Sequence, residues 1–177
     1  MSTNKWSLDT THSELGFKIK HLMISNVSGG FTTFDVKTET SSDDFSDAKV
    51  VATVDVASIN TNNSQRDNHL KNADFFDADT HPNLIFKSTK VEKLDRENFN
   101  LYGDLTIKDT TKPVKLAVEF NGIAKDPWGN IKAGFTVNGK INRKDFGITY
   151  NAVMETGGVM LGEEVKINAD IQLAKQV

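Results

Sequence analysis

The chain has 177 residues and a formal net charge of -3 at pH 7, with its basic residues spread along the sequence. This length suits one domain with a sizeable core, and the absence of a basic patch argues against nucleic acid as a partner. The chain has no cysteine, which excludes disulfides and thiolate chemistry. No window approaches the run of about 18 apolar residues that a membrane-spanning helix needs, so a single soluble domain over residues 1–177 is predicted.

Apolar and polar residues alternate over most of the chain, which is typical of strands with one buried face. The first predicted strand contains Leu15, Phe17 and Ile19, and the second contains Phe34 and Val36. Six more predicted strands follow, within residues 50–56, 84–88, 99–107, 114–120, 131–137 and 165–173. Short links rich in Gly, Pro, Asn, Asp and Ser join several of them, and short links indicate antiparallel neighbours.

Eight amphipathic strands bury their apolar faces most simply when the sheet closes on itself. The sequence therefore predicts an all-β fold with one short helix, an eight-stranded antiparallel up-and-down barrel. The charged face points to water, which argues against an outer-membrane barrel. Glycines within the strand patterns allow the coiling and bulges that a closed barrel needs, at Gly103, Gly122, Gly134 and Gly139.

The segment from Ser64 to Pro82 interrupts the strand pattern between the third and fourth strands. Ser64 and Asp67 resemble a capping box, and Leu70 begins an apolar stripe that continues into two phenylalanines. The segment therefore predicts a short amphipathic helix that plugs or flanks the barrel, and its aspartates fit caps and turns. Residues 142–162 fit either a long loop over a barrel mouth or an extra hairpin.

The inward-facing residues combine large phenylalanines with glycines and alanines. This mixture fits either a filled, tapering core or a tunnel with room for one small ligand. No charged residue interrupts the inward sets until the strand ends, so a cavity would be apolar and suited to a hydrocarbon tail. Burial of ten methylene groups would contribute roughly 8 kcal/mol, which corresponds to about micromolar affinity before ordering costs.

The histidines and carboxylates do not form a recognisable catalytic or metal site. His12, His21, His69 and His81 lack the convergent spacing of zinc ligands. Ser13 lies beside His12, but nothing in the sequence supplies a strained elbow or an orienting third group. No catalytic residue and no metal ligand is therefore predicted, and Arg66 and His69 are interpreted as contacts for a polar lipid head group.

Several long motifs then resemble the YceI-like family of lipocalin-type lipid-binding proteins. The resemblance runs from about Trp6 to Leu173 and rests on WSLDTTHSELGFKIKH, VSGGFTTF, SINTNNSQRDNHLKNADFFDADTHPNLIFKS, GDLTIKDTTKPVKL, FNGIAKDPWGN and INRKDFGITY. It implies an extended eight-stranded barrel around an apolar tunnel, with a helix between the third and fourth strands. The family is associated with polyisoprenoids, isoprenoid quinones and other long-chain amphiphiles, its members are often dimers, and no catalytic activity is established for it.

The predicted function is a non-enzymatic carrier, store or sequestering protein for an isoprenoid-like lipid. No cofactor is expected other than a bound polyisoprenoid or quinone-like lipid. The resemblance makes a homodimer one candidate assembly, and the sequence itself leaves the oligomeric state open. The two alternatives are an enzyme that acts on such a lipid and a stress-related protein that acts through its surface. The predicted ligand-binding residues, taken from inward register and the barrel mouth, are Phe17, Ile19, His21, Phe34, Val36, Arg66, His69, Leu70, Phe76, Phe86, Leu101, Leu105, Phe120, Phe135 and Arg143.

The polar N-terminus, MSTNKWSLDT, does not resemble a signal peptide. The chain as written is therefore expected to be cytoplasmic. Because many relatives in the family are exported, the expected location becomes periplasmic if the chain is a trimmed mature form.

Overall fold

The computed structural model describes residues 3–22, 24–151 and 161–176. Within these ranges the chain forms eleven strands and one α-helix, and no helix there is long and apolar enough to cross a membrane. The elements are β1 (Asn4–Leu8), β2 (Glu14–His21), β3 (Ser25–Phe31), β4 (Phe34–Thr40), β5 (Lys49–Asp55), β6 (Ile59–Asn60), α1 (Ser64–Leu70), β7 (Asn83–Lys93), β8 (Asn98–Ile107), β9 (Thr110–Lys125), β10 (Ile131–Asn142) and β11 (Leu161–Lys175).

The strands pair antiparallel in one sheet that closes into a barrel. β1 pairs with β4 on one side and with β11 on the other, and this double pairing closes the sheet. β1 and β2 both lie along β11, so together they act as one long, interrupted strand. β4 continues from β3 in the same way and forms a second interrupted strand with it. The barrel therefore has eight long strands, which confirms the predicted architecture.

The sequence analysis missed β1 and β3, the other halves of the two interrupted strands. β3 has the sequence SNVSGGF, in which alternation is weak, and β1 is only five residues long. Trp6 of β1 is nevertheless 2% exposed, and its Nε1 donates to Thr40 Oγ1 at 3.2 Å. Short strands gain their stability from tertiary packing, which local alternation does not report.

Helix α1 lies between the third and fourth long strands of the barrel, as predicted, but its cap differs from the prediction. The N-cap is Asn63 and not Ser64, because the Asn63 side chain accepts a hydrogen bond from the Arg66 backbone N–H at 3.0 Å. Asp67 instead accepts from the Thr61 backbone N–H at 2.9 Å. Asn and Ser cap helices about equally well, so the residue spacing could not distinguish Asn63 from Ser64 as the N-cap.

Two of the four predicted strand glycines, Gly122 and Gly103, have clear backbone roles. The register between β9 and β10 shifts beside Gly134, and the partner Gly122 has a positive φ of 113°, as at a β-bulge. At Gly103 a Cβ would lie 2.5 Å from the backbone oxygen of Lys87 and from the Phe86 ring. Both positions follow the prediction that glycines would allow bulges and close approaches.

The predicted alternatives for residues 142–162 are only partly covered by the structure. The chain leaves β10 into a 3-10 helix, Arg143–Phe146, and Gly147 ends this helix with a φ of 78°. Residues 152–160 lie outside the described residues, so neither the long loop nor the extra hairpin is tested there.

The two ends of the barrel are packed differently. One end, here called the aromatic end, contains Trp6, Phe45, Phe120 and Phe135, with ring centroids 4.9 Å apart for Phe45 and Phe135. The other, here called the helix end, contains side chains from α1 and the residues after it, packed with the 3-10 helix that follows β10. Its buried cluster is Phe75, Ile107, Phe146 and Ile148.

Candidate functional site

The barrel encloses an apolar cavity of about 540 Å³. Residues from nearly every long strand line it, together with Leu70, Phe75 and Phe76 from α1 and the segment after it. A cavity of this size falls within the usual range for small-molecule sites. The structure thus favours the tunnel over the filled core, the two interpretations that the mixture of phenylalanine and glycine left open.

The structure places every predicted ligand-binding residue except Phe120 in the cavity wall. The members of the wall are Phe17, Ile19, His21, Phe34, Val36, Arg66, His69, Leu70, Phe76, Phe86, Leu101, Leu105, Phe135 and Arg143. Phe120 lies outside the lining and stacks on Phe135, with ring centroids 5.3 Å apart. Phe120 still faces inward, because it lies opposite Phe135 in the β9–β10 register, and it packs against Phe45 in the aromatic end and so does not line the open space.

The nitrogen-bearing side chains of the lining all lie at the helix end. His21 is the last residue of β2 and pairs with Leu161, the first residue of β11. Arg66 and His69 are on α1, and Arg143 follows the last residue of β10. No Asp or Glu of the described chain lines the cavity. The cavity is therefore apolar along its length and basic at one end.

Arg66 is held by the loop that precedes α1. Its Nε donates to Thr61 Oγ1 and its Nη2 donates to the Thr61 carbonyl, both at 2.7 Å. Thr61 is buried and also donates to the Asp67 carboxylate. Arg66 therefore anchors the start of α1 as well as contributing to the cavity wall.

His69 is tied to the turn after α1 and to an aromatic cluster. Its Nε2 lies 2.9 Å from Asp74 Oδ2. Its ring meets Phe75 and Tyr150 edge-on, at centroid distances of 5.0 and 4.9 Å. The side chain is partly exposed, so it contributes to the rim of the cavity more than to its interior.

Arg143 is the most buried basic residue of the cavity wall, at 3% exposed. Its Nε donates to the Gly162 carbonyl at 2.8 Å, and its Nη1 donates to the carbonyls of Ile148 and Tyr150 at 2.9 and 2.8 Å. Its Nη2 is buried and has no hydrogen-bond partner within the described chain. Burial lowers the pKa of this guanidinium, but an arginine stays protonated.

These basic groups are held by separate partners. Arg66 is bonded to Thr61, His69 to Asp74, and Arg143 to backbone carbonyls. Over residues 3–22, 24–151 and 161–176, no three His, Asp or Glu side chains group as a metal site would need. The arrangement can orient a polar group at one end of an apolar channel.

Several lining residues were missed by the sequence analysis. Phe45 lies in the polar turn SSDDFSD and reaches the cavity from a backbone with a φ of 60°. Thr38 faces inward from β4. Tyr150 lies within residues 142–162, for which the sequence left a loop and a hairpin as alternatives. The useful signal was a lone phenylalanine in an otherwise polar turn, since such a side chain has to be buried somewhere.

Comparison with known proteins places the chain in a family. Residues 6–173 match the model of the YceI-like domain. A UPF0312 protein of Staphylococcus aureus strain N315 is 46% identical over 170 residues, which cover 96% of each chain.

Solved structures share the barrel. A YCEI protein of Campylobacter jejuni is 37% identical, with a TM-score of 0.76 and coverage of 96% of this chain and 97% of that one. BcnA of Burkholderia cenocepacia is 22% identical, with a TM-score of 0.79 and coverage of 93% and 98%. A polyisoprenoid binding domain of Saccharophagus degradans is 12% identical, with a TM-score of 0.68 and coverage of 97% and 98%. On the match over nearly its whole length, the chain belongs to the YceI-like domain family.

Proposed function

We propose that the protein binds a long-chain amphiphilic lipid, of the isoprenoid or isoprenoid quinone class, inside the barrel and acts as its carrier, store or sequestering protein. The observation that carries the proposal is the cavity of about 540 Å³, lined by apolar side chains and by no Asp or Glu of the described chain. Such a wall offers a hydrocarbon tail burial without any charge to desolvate.

The polarity of the cavity gives the lipid a direction. The aromatic end supplies packed rings and no titratable group, whereas the helix end supplies His21, Arg66, His69 and Arg143. The tail therefore lies toward the aromatic end and the head group lies at the helix end. Each buried methylene contributes roughly 0.8 kcal/mol, so tail length dominates affinity and the basic end sets orientation.

The comparisons support this proposal at the level of the fold. The Saccharophagus degradans domain is named as binding polyisoprenoids and has the same barrel, but at 12% identity the likeness concerns architecture alone. The chemical argument for a lipid therefore rests on this chain's own cavity wall.

Native mass spectrometry of gently purified protein, followed by organic extraction, tests the proposal. Two matched variants sharpen the test: Ala52→Phe narrows the cavity, and Val51→Phe adds the same ring on the outer face, where Val51 is exposed. We expect lipid with the wild type and with Val51→Phe, and little or none with Ala52→Phe. Absence of co-purified lipid, together with no uptake of added geranylgeraniol by delipidated wild type, would contradict the proposal.

A further inference from the structure

Resting on the proposed lipid binding, we infer that Arg143 anchors an anionic head group, so that the natural ligand is a long-chain lipid ending in a phosphate or a carboxylate. The shared chemistry is an oxyanion that accepts a hydrogen bond from the free side of the guanidinium. The argument comes from the hydrogen bonds of Arg143, from the charges around it and from its place in the cavity.

Three hydrogen bonds fix the orientation of the guanidinium. The carbonyls of Gly162, Ile148 and Tyr150 accept from Nε and Nη1, which leaves Nη2 as the corner with no partner in the part of the chain that the structure describes. An arginine held in this way has already lost its rotamer freedom, so a ligand oxygen meets a preorganised donor.

Among the described residues, no carboxylate forms an ion pair with Arg143. Glu163 attracts the charge of Arg143, but this carboxylate is half-exposed and forms its ion pair with Lys144, at 2.8 Å. Backbone carbonyls satisfy N–H groups but do not neutralise a buried charge, and a buried cation without a counterion is costly. A ligand that brings a negative charge into the cavity removes this cost.

The other lining residues favour the same sign of charge. His21, Arg66 and His69 share the helix end with Arg143, and the described lining contains no acidic residue. A cationic head group would be repelled by the charges of Arg66 and Arg143, and a neutral alcohol would gain hydrogen bonds without charge assistance. Hydrogen bonds between arginine and phosphate or carboxylate are charge-assisted and therefore stronger than those to a neutral acceptor.

A selectivity series with one tail and four heads tests the inference. Delipidated wild type is titrated with geranylgeranyl phosphate, geranylgeranoic acid, geranylgeraniol and geranylgeranylamine, with binding followed by native mass spectrometry. We expect at least one anion to bind about tenfold more tightly than the alcohol, and the amine to bind most weakly. Comparison of the affinities of geranylgeranyl phosphate and geranylgeranoic acid identifies which oxyanion the site prefers. An alcohol that binds as well as both anions would overturn the inference.

Variants separate head-group recognition from a purely structural role of Arg143. In R143Q the ratio of anion to alcohol affinity should fall towards one while alcohol binding persists. K144Q removes the same charge one residue away, on a half-exposed side chain that pairs with Glu163, and should keep the wild-type ratio. An unchanged ratio in R143Q would contradict the inference.

If R143Q fails to fold, the wild-type protein still decides the question. The guanidinium ¹⁵N–¹H resonance of Arg143 should shift with the preferred anion and stay in place with the alcohol; identical spectra would reject the anchor. The series also separates the two proposals. Alcohol binding without anion preference removes only the head-group inference, whereas no binding of any of the four ligands removes the lipid-binding proposal as well.

Discussion

Thr38 and Thr40 lie two residues apart on the inward face of β4, and both are buried. The Thr40 hydroxyl accepts from the indole N–H of Trp6, whereas the Thr38 hydroxyl has no partner among the described residues. Two buried threonines on one face of a strand thus differ in hydrogen bonding within the described chain, so they allow a comparison of a paired and an unpaired hydroxyl.

Substitution of each threonine by valine should have different effects on stability. Thr40→Val leaves the buried Trp6 Nε1 without an acceptor, so we expect a loss of about 1–3 kcal/mol in the free energy of unfolding. Thr38→Val removes an unpaired hydroxyl from an apolar wall, so it should be neutral or stabilising. Urea unfolding followed by Trp fluorescence measures both, and equal losses would show that the two hydroxyls are equivalent.

Gly103 shows how a single missing methyl group allows two strands to approach. A Cβ there would lie 2.5 Å from the backbone oxygen of Lys87, which has little freedom to move. We expect Gly103→Ala to cost about 1–3 kcal/mol. Gly134→Ala in β10 is the control, because its Cβ would meet nothing closer than 3.7 Å. Thermal unfolding of the two variants gives the comparison, and similar midpoints would contradict it.

At the scale of the elements, Asp9 holds the junction at which β1 passes into β2. Its carboxylate accepts from Lys132 Nζ of β10 at 2.7 Å and from Gln172 Nε2 of β11 at 3.1 Å. It also accepts from Thr11 and lies 2.9 Å from His12 Nδ1 within the adjoining 3-10 helix. One side chain, 10% exposed, thus joins three long strands where the first of them is interrupted.

This junction predicts a specific acid sensitivity. The hydrogen bond from Lys132 is the main reason that the pKa of Asp9 lies well below its usual range. Because folding lowers this pKa, the carboxylate stabilises the protein fully above the unfolded pKa of about 3.9, and the contribution is lost as the pH falls below that value.

We expect Asp9→Asn to lower the free energy of unfolding by about 2 kcal/mol at pH 7, and by progressively less below about pH 4. Asp170→Asn, at an exposed position of β11, is the control and should have little effect. Chemical denaturation from pH 7 to pH 2 measures both, and a deficit in Asp9→Asn that stays constant over this range would refute the interpretation.

The elements themselves were predictable where local chemistry is unambiguous. Alternation found all eight long strands, and the interruption at Ser64 to Pro82 located α1. Alternation failed at β1 and β3 because a five-residue strand and a Gly-Ser strand carry little pattern and depend on distant partners. Asn63 was overlooked as a cap because the neighbouring Ser64 gave the more familiar spacing.

At the scale of the whole molecule, the barrel and the basic end of its cavity could be expected from the sequence. Inward register correctly put Phe17, Phe86 and Phe135 in the wall, because strand alternation carries over directly to a closed sheet. Whether space would remain among them was not predictable, since a cavity is a small difference between large packed volumes. That Nη2 of Arg143 has no hydrogen-bond partner among the described residues was equally hidden, because the carbonyls that hold the guanidinium come from segments beyond β10.

A cavity that takes up lipid should also make the stability of the barrel depend on ligand concentration. At a free ligand concentration one hundred times Kd, binding adds about 2.7 kcal/mol to the free energy of unfolding. For a chain of this size we therefore expect a rise in Tm of roughly 5–10 °C with a bound isoprenoid. Differential scanning calorimetry of delipidated protein checks this, and Ala52→Phe should show no rise.

The pairing of β3 has a consequence for how fast a bound lipid leaves. β3 pairs with β2 along its length, but on its other side it meets β6 only at Gly30 and Phe31. Next to this poorly paired edge, α1 and the residues after it are held by side-chain contacts. Their amides should therefore exchange with solvent by local opening, well before those of β8 and β9. Local opening of this segment would then set the residence time of the lipid without unfolding the barrel. A substitution in α1 can therefore shorten the residence time and leave the free energy of global unfolding unchanged.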